Sequence, residues 1–284
     1  MTLKPAFELS VEIIPPDVIR ASTLLLELNE RQLTAAWVNR STQELLALQQ
    51  YHLHPEDQSS MVDLLRELVS NDAALSGDVS ETIIIYNYSE SSLVPAESYS
   101  IELSKNIAEL TTGNTQKGLV LSEKISGTEI CNVYRIPREI HTLLQQRFSA
   151  GKYWHFYSLV LTTRMRTPKV ASEQFEVTFY PDKFVVAVFE DQQLLLIQSY
   201  HYQVPEDVAF QLLNICKLLN VDPNRVLVQL SGLIDADSAL YSVIARYFLL
   251  LDWETDGAAA WKNEQLADFP PHYFSPLLKL ALCV

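Results

Sequence analysis

The stretch Thr23-Leu24-Leu25-Leu26-Glu27-Leu28-Asn29, followed by Gln32 to Val38 and Glu44 to His52, reads as three strands with polar turns at Asn29–Arg31 and Asn39–Gln43. Short β-rich runs bounded by such turns predict a meander. Later in the chain the plan recurs as Phe175 to Tyr180, Lys183 to Phe189 and Gln193 to His201, with turns at Pro181–Asp182 and Glu190–Gln192. Each meander ends in the same punctuation. Tyr51-His52-Leu53-His54 runs into Pro55-Glu56-Asp57, and Tyr200-His201-Tyr202-Gln203-Val204 runs into Pro205-Glu206-Asp207. Proline loses nothing at a first helical position and acids complement the helix dipole there, so both tripeptides predict helix starts. Apolar residues follow at helical spacing, Met61, Leu64, Leu65 and Leu68 in one case, Ala209, Leu212, Leu213, Cys216 and Leu219 in the other. A fourth strand comes next, Thr82 to Tyr86 and Arg225 to Leu230. The repeated unit is β-β-β-α-β.

That unit is the core of the ribonuclease-H-like fold, and two in tandem resemble the plan of the actin, sugar kinase and Hsp70 superfamily. The expected fold class is therefore α/β, with two tandem ribonuclease-H-like domains in an actin-like ATPase arrangement. A further helix is expected in each half, Ala96 to Leu110 and Asp237 to Leu251. Between the halves lie strand candidates Leu119 to Ile125 and Glu129 to Ile136, a helix from Pro137 to Phe148, and a strand from Tyr153 to Thr162. This material predicts an inserted subdomain at about 112–150 within a first half of residues 1–170. The second half is then 171–284, the boundary lying in the polar stretch from Thr167-Pro168-Lys169 to near Gln174.

More specifically, the chain resembles an uncharacterised bacterial family, of Bacteroidetes type, whose members adopt an actin-like ATPase fold. The resemblance is carried by Leu24-Leu25-Leu26-Glu27-Leu28, Leu93-Val94-Pro95 with Tyr99, and Tyr134-Arg135-Ile136-Pro137. It continues through Trp154-His155-Phe156-Tyr157-Ser158-Leu159 and Phe269-Pro270-Pro271-His272-Tyr273-Phe274. It implies a fold and no particular reaction.

Composition narrows the function classes. Across 284 residues, 35 acidic against 21 basic side chains leave a net charge of −14, which repels phosphate backbones and anionic headgroups. Neither a nucleic acid nor a membrane is an expected partner. The longest apolar runs are strand-sized, and Met1 to Pro16 lacks an unbroken apolar signal region. Three scattered cysteines, Cys131, Cys216 and Cys283, form no disulfide or zinc pattern, so a reducing, cytoplasmic setting is expected.

Glycine decides more. The chain holds seven, all isolated, against a usual share of about 7%. Loops that cradle phosphate need clustered glycines, because backbone N–H groups approach phosphate closely only where no Cβ intervenes. In actin-like ATPases the first hairpin of each half must grip phosphate, yet the turns here read Leu28-Asn29-Glu30-Arg31 and Tyr180-Pro181-Asp182-Lys183. Neither has a glycine, and Pro181 lacks a donor outright. The turn after the last strand, Leu230-Ser231-Gly232-Leu233, has one glycine where a purine site uses a pair. The candidate cleft residues are Glu27, Asn29, Glu30, Asp182, Ser231, Gly232 and Asp235; Glu27, Glu30, Asp182 and Asp235 could hold a cation in an unorthodox pocket. No catalytic residue, metal ligand or cofactor is assigned. A ribonuclease-H-type nuclease would need carboxylates converging on two metals, for which Glu27 with Asp63 or Glu67 is available, but the fourth strand offers only Asn87. His52, His54 and His201 sit at strand ends without a third ligand and are read as ordinary strand-end polar groups.

One segment opposes the global charge. Between Arg135 and Lys169 seven basic residues face one acid, Glu139, a local +6 with Tyr153, Trp154, Phe156 and Tyr157 interleaved. Arg135, Arg138, Arg147, Lys152, Arg164 and Arg166 form the candidate partner patch, for an unidentified protein or a second copy of this chain. The other reading makes Arg135, Arg138 and Arg147 a solvated helix face and the aromatics core. The favoured function is a non-catalytic interaction or scaffold module on a degenerate actin-like ATPase fold. Its competitor is a divergent ATP-binding enzyme, an ATPase or kinase-like protein using the interdomain cleft.

Overall fold

All six residues of Thr23–Leu28 are buried, which accounts for a leucine run where a strand with one wet face would alternate. The segment lies inside the main sheet of the first of two compact units, Met1–Thr162 with Val284 and Thr163–Cys283. The computed structural model describes residues 4–10, 14–54, 60–71, 79–112, 118–166 and 173–283. The first unit runs β1 (Phe7–Ser10), α1 (Pro16–Ala21), β2 (Thr23–Leu28), β3 (Gln32–Asn39), β4 (Glu44–His52), α2 (Met61–Asn71), β5 (Glu81–Tyr86) and β6 (Ser91–Pro95). It continues with α3 (Ser104–Thr112), β7 (Leu119–Lys124), β8 (Ile130–Ile136), α4 (Arg138–Arg147), β9 (Lys152–His155) and the start of α5 (Phe156–Arg166). Its main sheet has the order β1-β4-β3-β2-β5-β9, and β6-β8-β7 make a separate antiparallel sheet. The helical spacing seen in α2 turns Met61, Leu64, Leu65 and Leu68 into the core formed by Leu24, Leu26, Leu28 and Trp37.

The second unit contains β10 (Glu173–Phe179), β11 (Lys183–Glu190), β12 (Gln193–His201), α6 (Pro205–Leu219), β13 (Leu227–Gly232), α7 (Ala239–Ala245), β14 (Leu250–Trp253), α8 (Asp256–Ala259) and α9 (Ser275–Leu280). Its sheet order is β12-β11-β10-β13-β14, with β13 parallel to both β10 and β14. Helix α6 begins at Pro205, and the Asp207 carboxylate accepts the N–H groups of Gln203 and Val204 at 2.9 and 3.1 Å. Those bonds hold the Asp207 carboxyl below the usual range. Val208, Ala209, Leu212, Ile215 and Cys216 are the buried face of the helix. The matching helix start at Pro55-Glu56-Asp57 lies outside the described residues, as does the boundary signal Thr167-Pro168-Lys169.

The two meanders repeat one ladder. Asn29 N–H donates to the Gln32 carbonyl at 3.0 Å and Tyr180 N–H to the Lys183 carbonyl at 2.8 Å. Leu53 N–H then reaches back to the Arg31 carbonyl, and Tyr202 N–H to that of Asp182. The middle strands even break register at one shared place, Trp37/Val38 in β3 and Val188/Phe189 in β11. By this pattern Asn29 is the equivalent of Tyr180 and Glu30 that of Pro181, one residue later in the first turn than an alignment of Leu28 with Tyr180 gives.

Three expected elements differ. The strand expected over Tyr153–Thr162 stops at His155, where helix α5 begins. The His155 imidazole accepts the Tyr157 N–H at 3.2 Å and so caps the new helix. The helix expected over Ala96–Leu110 is two 3₁₀ turns, Ala96–Ser98 and Ile101–Leu103, before α3. Tyr99 adopts extended backbone between them, its hydroxyl bonded to Ser104 and Ser122. The helix expected over Asp237–Leu251 covers only Ala239–Ala245. Ser238 caps it by accepting the Tyr241 N–H, and Leu250–Trp253 leave to pair with Leu227–Leu230. An apolar run such as Phe248-Leu249-Leu250-Leu251 satisfies either period, and the open edge of β13 decides it. Among the described residues no helix is long and apolar enough to cross a membrane.

Candidate functional site

In the first unit, β2 ends at a turn that carries three of the candidate residues. Glu27 is buried and its Oε1 accepts the Asn87 amide at 2.8 Å, so the end of β2 is tied to the residue just past β5. Asn29 is also buried, and its side-chain oxygen accepts the N–H groups of Arg31 at 2.9 Å and Gln32 at 2.8 Å. Glu30 is exposed and accepts the Ser89 N–H at 3.2 Å. The turn is thus held by its own side chains.

In the second unit, three successive donors follow β13. Gly232 N–H goes to the His272 carbonyl at 2.8 Å, Leu233 N–H to that of Phe179 at 3.0 Å, and Ile234 N–H to that of Gly232 at 2.9 Å. Gly232 has φ +76°, and a Cβ there would stand 2.2 Å from the Phe179 carbonyl oxygen, so glycine serves the close approach of β13 to β10. Ser231 is buried against Thr178, hydroxyl to hydroxyl at 3.0 Å. Asp182 accepts Tyr202 N–H on its backbone carbonyl, and its carboxylate lies 3.8 Å from His201. Exposed Asp235 is the acceptor for the Tyr273 hydroxyl. Burial first, and that bond second, push the Tyr273 hydroxyl up to about 12.

Around this turn stands an aromatic wall. Tyr241 stacks on Trp253 with centroids 5.4 Å apart, and Trp253 stacks on His272 at 4.0 Å. The His272 imidazole also bonds the Ile234 carbonyl at 2.7 Å. Burial lowers its pKa, outweighing that bond and the nearby Asp235, so it is a neutral imidazole that the stack holds. Residue types alone do not assign His272, Tyr273 and Trp253 to this turn. The only trace is the run Phe269-Pro270-Pro271-His272-Tyr273-Phe274, whose contact with Gly232 spans a sequence separation that no spacing rule covers.

A two-metal nuclease centre needs carboxylates that converge. Asp63 instead accepts the backbone N–H and hydroxyl of Ser60, at 3.1 and 2.8 Å, as the cap of α2. The Glu27 carboxylate meets an amide, Asn87. Among the described residues no group of three or more His, Cys, Asp and Glu is arranged to hold a metal.

The structure divides the six basic candidates. Arg135 and Arg164 are buried, Arg135 with its Nε 3.5 Å from Glu90 and Arg164 bonded to Glu176 at 2.9 Å and to Gln174 at 3.0 Å. Arg164 also lies over the Phe189 ring, 4.5 Å from its centroid. Arg164 faces inward, contrary to a surface role, and Arg135 is largely buried rather than an open surface cation. Arg138 and Arg166 are exposed, and Arg147 is half-buried over Phe148. Lys152, also exposed, is paired with Glu81 at 2.5 Å, an acid that Arg40 reaches from the other side at 3.0 Å.

A family model described as "Protein of unknown function (DUF3822)" matches residues 16–249. The chain belongs to that family. Solved structures show which fold DUF3822 adopts here. A Bacteroides thetaiotaomicron protein with actin-like ATPase fold and unknown function superposes with a TM-score of 0.78 at 15% identity, over 95% of this chain and 99% of its own. A chain of the PilM–PilN type IV pilus biogenesis complex gives a TM-score of 0.61 at 12% identity, over 93% of this chain and 98% of its own. The ethanolamine utilization protein EutJ from Carboxydothermus hydrogenoformans gives 0.50 at 8% identity, covering 97% and 92%. No curated protein matches significantly. This DUF3822 member is built on the actin-like ATPase fold.

Proposed function

We propose that this protein is a non-catalytic interaction or scaffold module, an actin-like ATPase fold whose phosphate-facing turns have closed on themselves. Its halves, about 1–170 and 171–284, are then ribonuclease-H-like domains, the first with an inserted subdomain at about 112–150. One observation carries the reading. The N–H groups of Arg31, Gln32, Gly232, Leu233 and Ile234 all end on protein acceptors, and Pro181 has none to offer. Phosphate recognition by a turn depends on a row of unused N–H donors. A nucleotide would have to break the Asn29 bonds and strip Gly232 from His272 before gaining any of its own.

An interaction role agrees with the use of the same fold in a complex between PilM and PilN. The surface cations Arg138 and Arg147, at the two ends of α4, are the contacts we assign to a protein partner or a second copy. The competing reading, a divergent ATP-binding enzyme, draws on the exposed acids Glu30 and Asp235.

Titration with ATP and magnesium separates the two. A ligand at one hundred times its dissociation constant adds about 2.7 kcal/mol of stability, a clear rise in melting temperature. The expected result is no shift in melting and no heat of binding. Micromolar affinity for ATP would overturn the reading.

A further inference from the structure

On the face of the β6-β8-β7 sheet that carries α3, a depression of about 320 Å³ is lined by Lys105 and Glu109 of α3, Gly118 just before β7 and Val120 within it, and Arg135 and Arg138 at the passage from β8 to α4. Each part has a physical reason to be there. A Cβ at position 118 would lie 2.7 Å from the Arg135 Cγ and 2.8 Å from the Ile136 carbonyl oxygen, so glycine lets the arginine stem cross the strand end closely. Arg135 is only 7% exposed and forms an ion pair with Glu90, whose carboxylate lies 3.5 Å from its Nε. Lys105 is paired with Glu109 at 3.6 Å, one turn along the helix. Arg138 has no ion pair among the described residues. With Glu90 and Glu109 counted against the three cations, one positive charge is left over, in a chain whose net charge is −14.

We infer that this depression is a binding pocket for a small oxyanion, a metabolite bearing carboxylate or phosphate groups. Planar guanidinium groups match both geometries by paired N–H donors, and lysine adds a point charge. The volume is at the lower end of ligand pockets, which span roughly 300–1,000 Å³, and suits a compact anion. The pocket stands apart from the turns discussed above and shares only Arg138 with the α4 surface assigned to a partner; binding of a small anion depends on neither reading.

Calorimetry on the full chain at low ionic strength tests it, with pyrophosphate and citrate as probes. One of the two binds with a dissociation constant below roughly 1 mM, and the preferred probe tells phosphate from carboxylate. Arg138→Gln and Lys105→Gln, both exposed positions that leave the fold intact, each weaken that binding by about tenfold, while Arg147→Gln on the same helix as Arg138 leaves it unchanged. The pocket is refuted if neither probe binds, if binding survives both lining substitutions, or if only a polyglutamate peptide binds, which would make the site a protein-docking surface.

Discussion

The side-chain oxygen of Asn29 accepts the backbone N–H of Gln32 at 2.8 Å, within the turn that joins β2 to β3. One buried amide thereby occupies two successive backbone donors of the turn, those of Arg31 and Gln32. The second unit reaches the same end differently, by proline at position 181 and by the carbonyls of Phe179 and His272 beside β13. Two unrelated local arrangements thus leave turn N–H groups of both units bonded within the protein, the observation on which the proposed non-catalytic reading rests.

Asn29→Ala removes the acceptor of the half-buried Arg31 N–H and the buried Gln32 N–H, at a cost of about 1–3 kcal/mol. Urea unfolding should show a lower midpoint with an unchanged m-value. A loss under about 0.5 kcal/mol would mean that the strand ladder alone holds the turn.

Gly232→Ala should be severe, because the new Cβ meets the Phe179 carbonyl at 2.2 Å while φ stays at +76°. Backbone strain of this kind costs about 1–3 kcal/mol before the clash is counted. The variant is expected to melt well below the parent, and an unaltered melting temperature would show that β13 can move away from β10.

Arg164→Met removes the buried guanidinium that bonds the partly exposed Glu176 carboxylate, and losing a hydrogen bond to a charged group costs about 1.5–3 kcal/mol. Adding Glu176→Met should restore part of that loss. A double-mutant cycle measures the coupling, and strictly additive effects would show that the two side chains do not depend on each other.

The His52 imidazole is held down to about 4 by burial, with a smaller push from nearby His54. Its folded pKa lies below the unfolded value, so the unfolded chain binds the extra proton first. The stabilising contribution of neutral His52 is present above pH 6.5 and is lost as pH falls toward about 4. His52→Gln should therefore flatten the stability profile in that window relative to the parent, and parallel profiles would contradict the assignment.

Reversing Arg138 and Arg147 to glutamate should leave melting nearly unchanged, since neither side chain is buried. Partner capture or self-association should weaken, most clearly at low salt, because exposed charges are screened beyond about 8 Å at physiological ionic strength. Light scattering and pull-down at two salt concentrations give the readout. A double variant that associates as the parent does would reduce α4 to solvated surface.

Much of the fold is legible from residue order. The leucine run before Asn29, the helix start at Pro205-Glu206-Asp207 and the spacing of Leu64, Leu65 and Leu68 depend on neighbours a few residues away. Helical and strand periods are written at that range, and so is the poverty of glycine. The candidate site was legible only as a set of residue types. Glu27 and Asn87 stand 60 positions apart, and no local period links the acid to the amide that it bonds.

The residues by themselves determined a duplicated β-β-β-α-β plan and turns without clustered glycines, because strand and helix periods and turn composition are properties of short peptides. Tertiary structure alone decided where the helices stop and which charges are surface charges. Leu250–Trp253 became a strand because β13 offered an unpaired edge, and His155 ended β9 by capping α5. Arg135 and Arg164 went inside because Glu90 and Glu176 were there to meet them, whereas Arg138, equally basic in the sequence, stayed in water. A charge is buried only where a partner repays its lost hydration, and partners brought from distant strands are chosen by the packing of the whole unit.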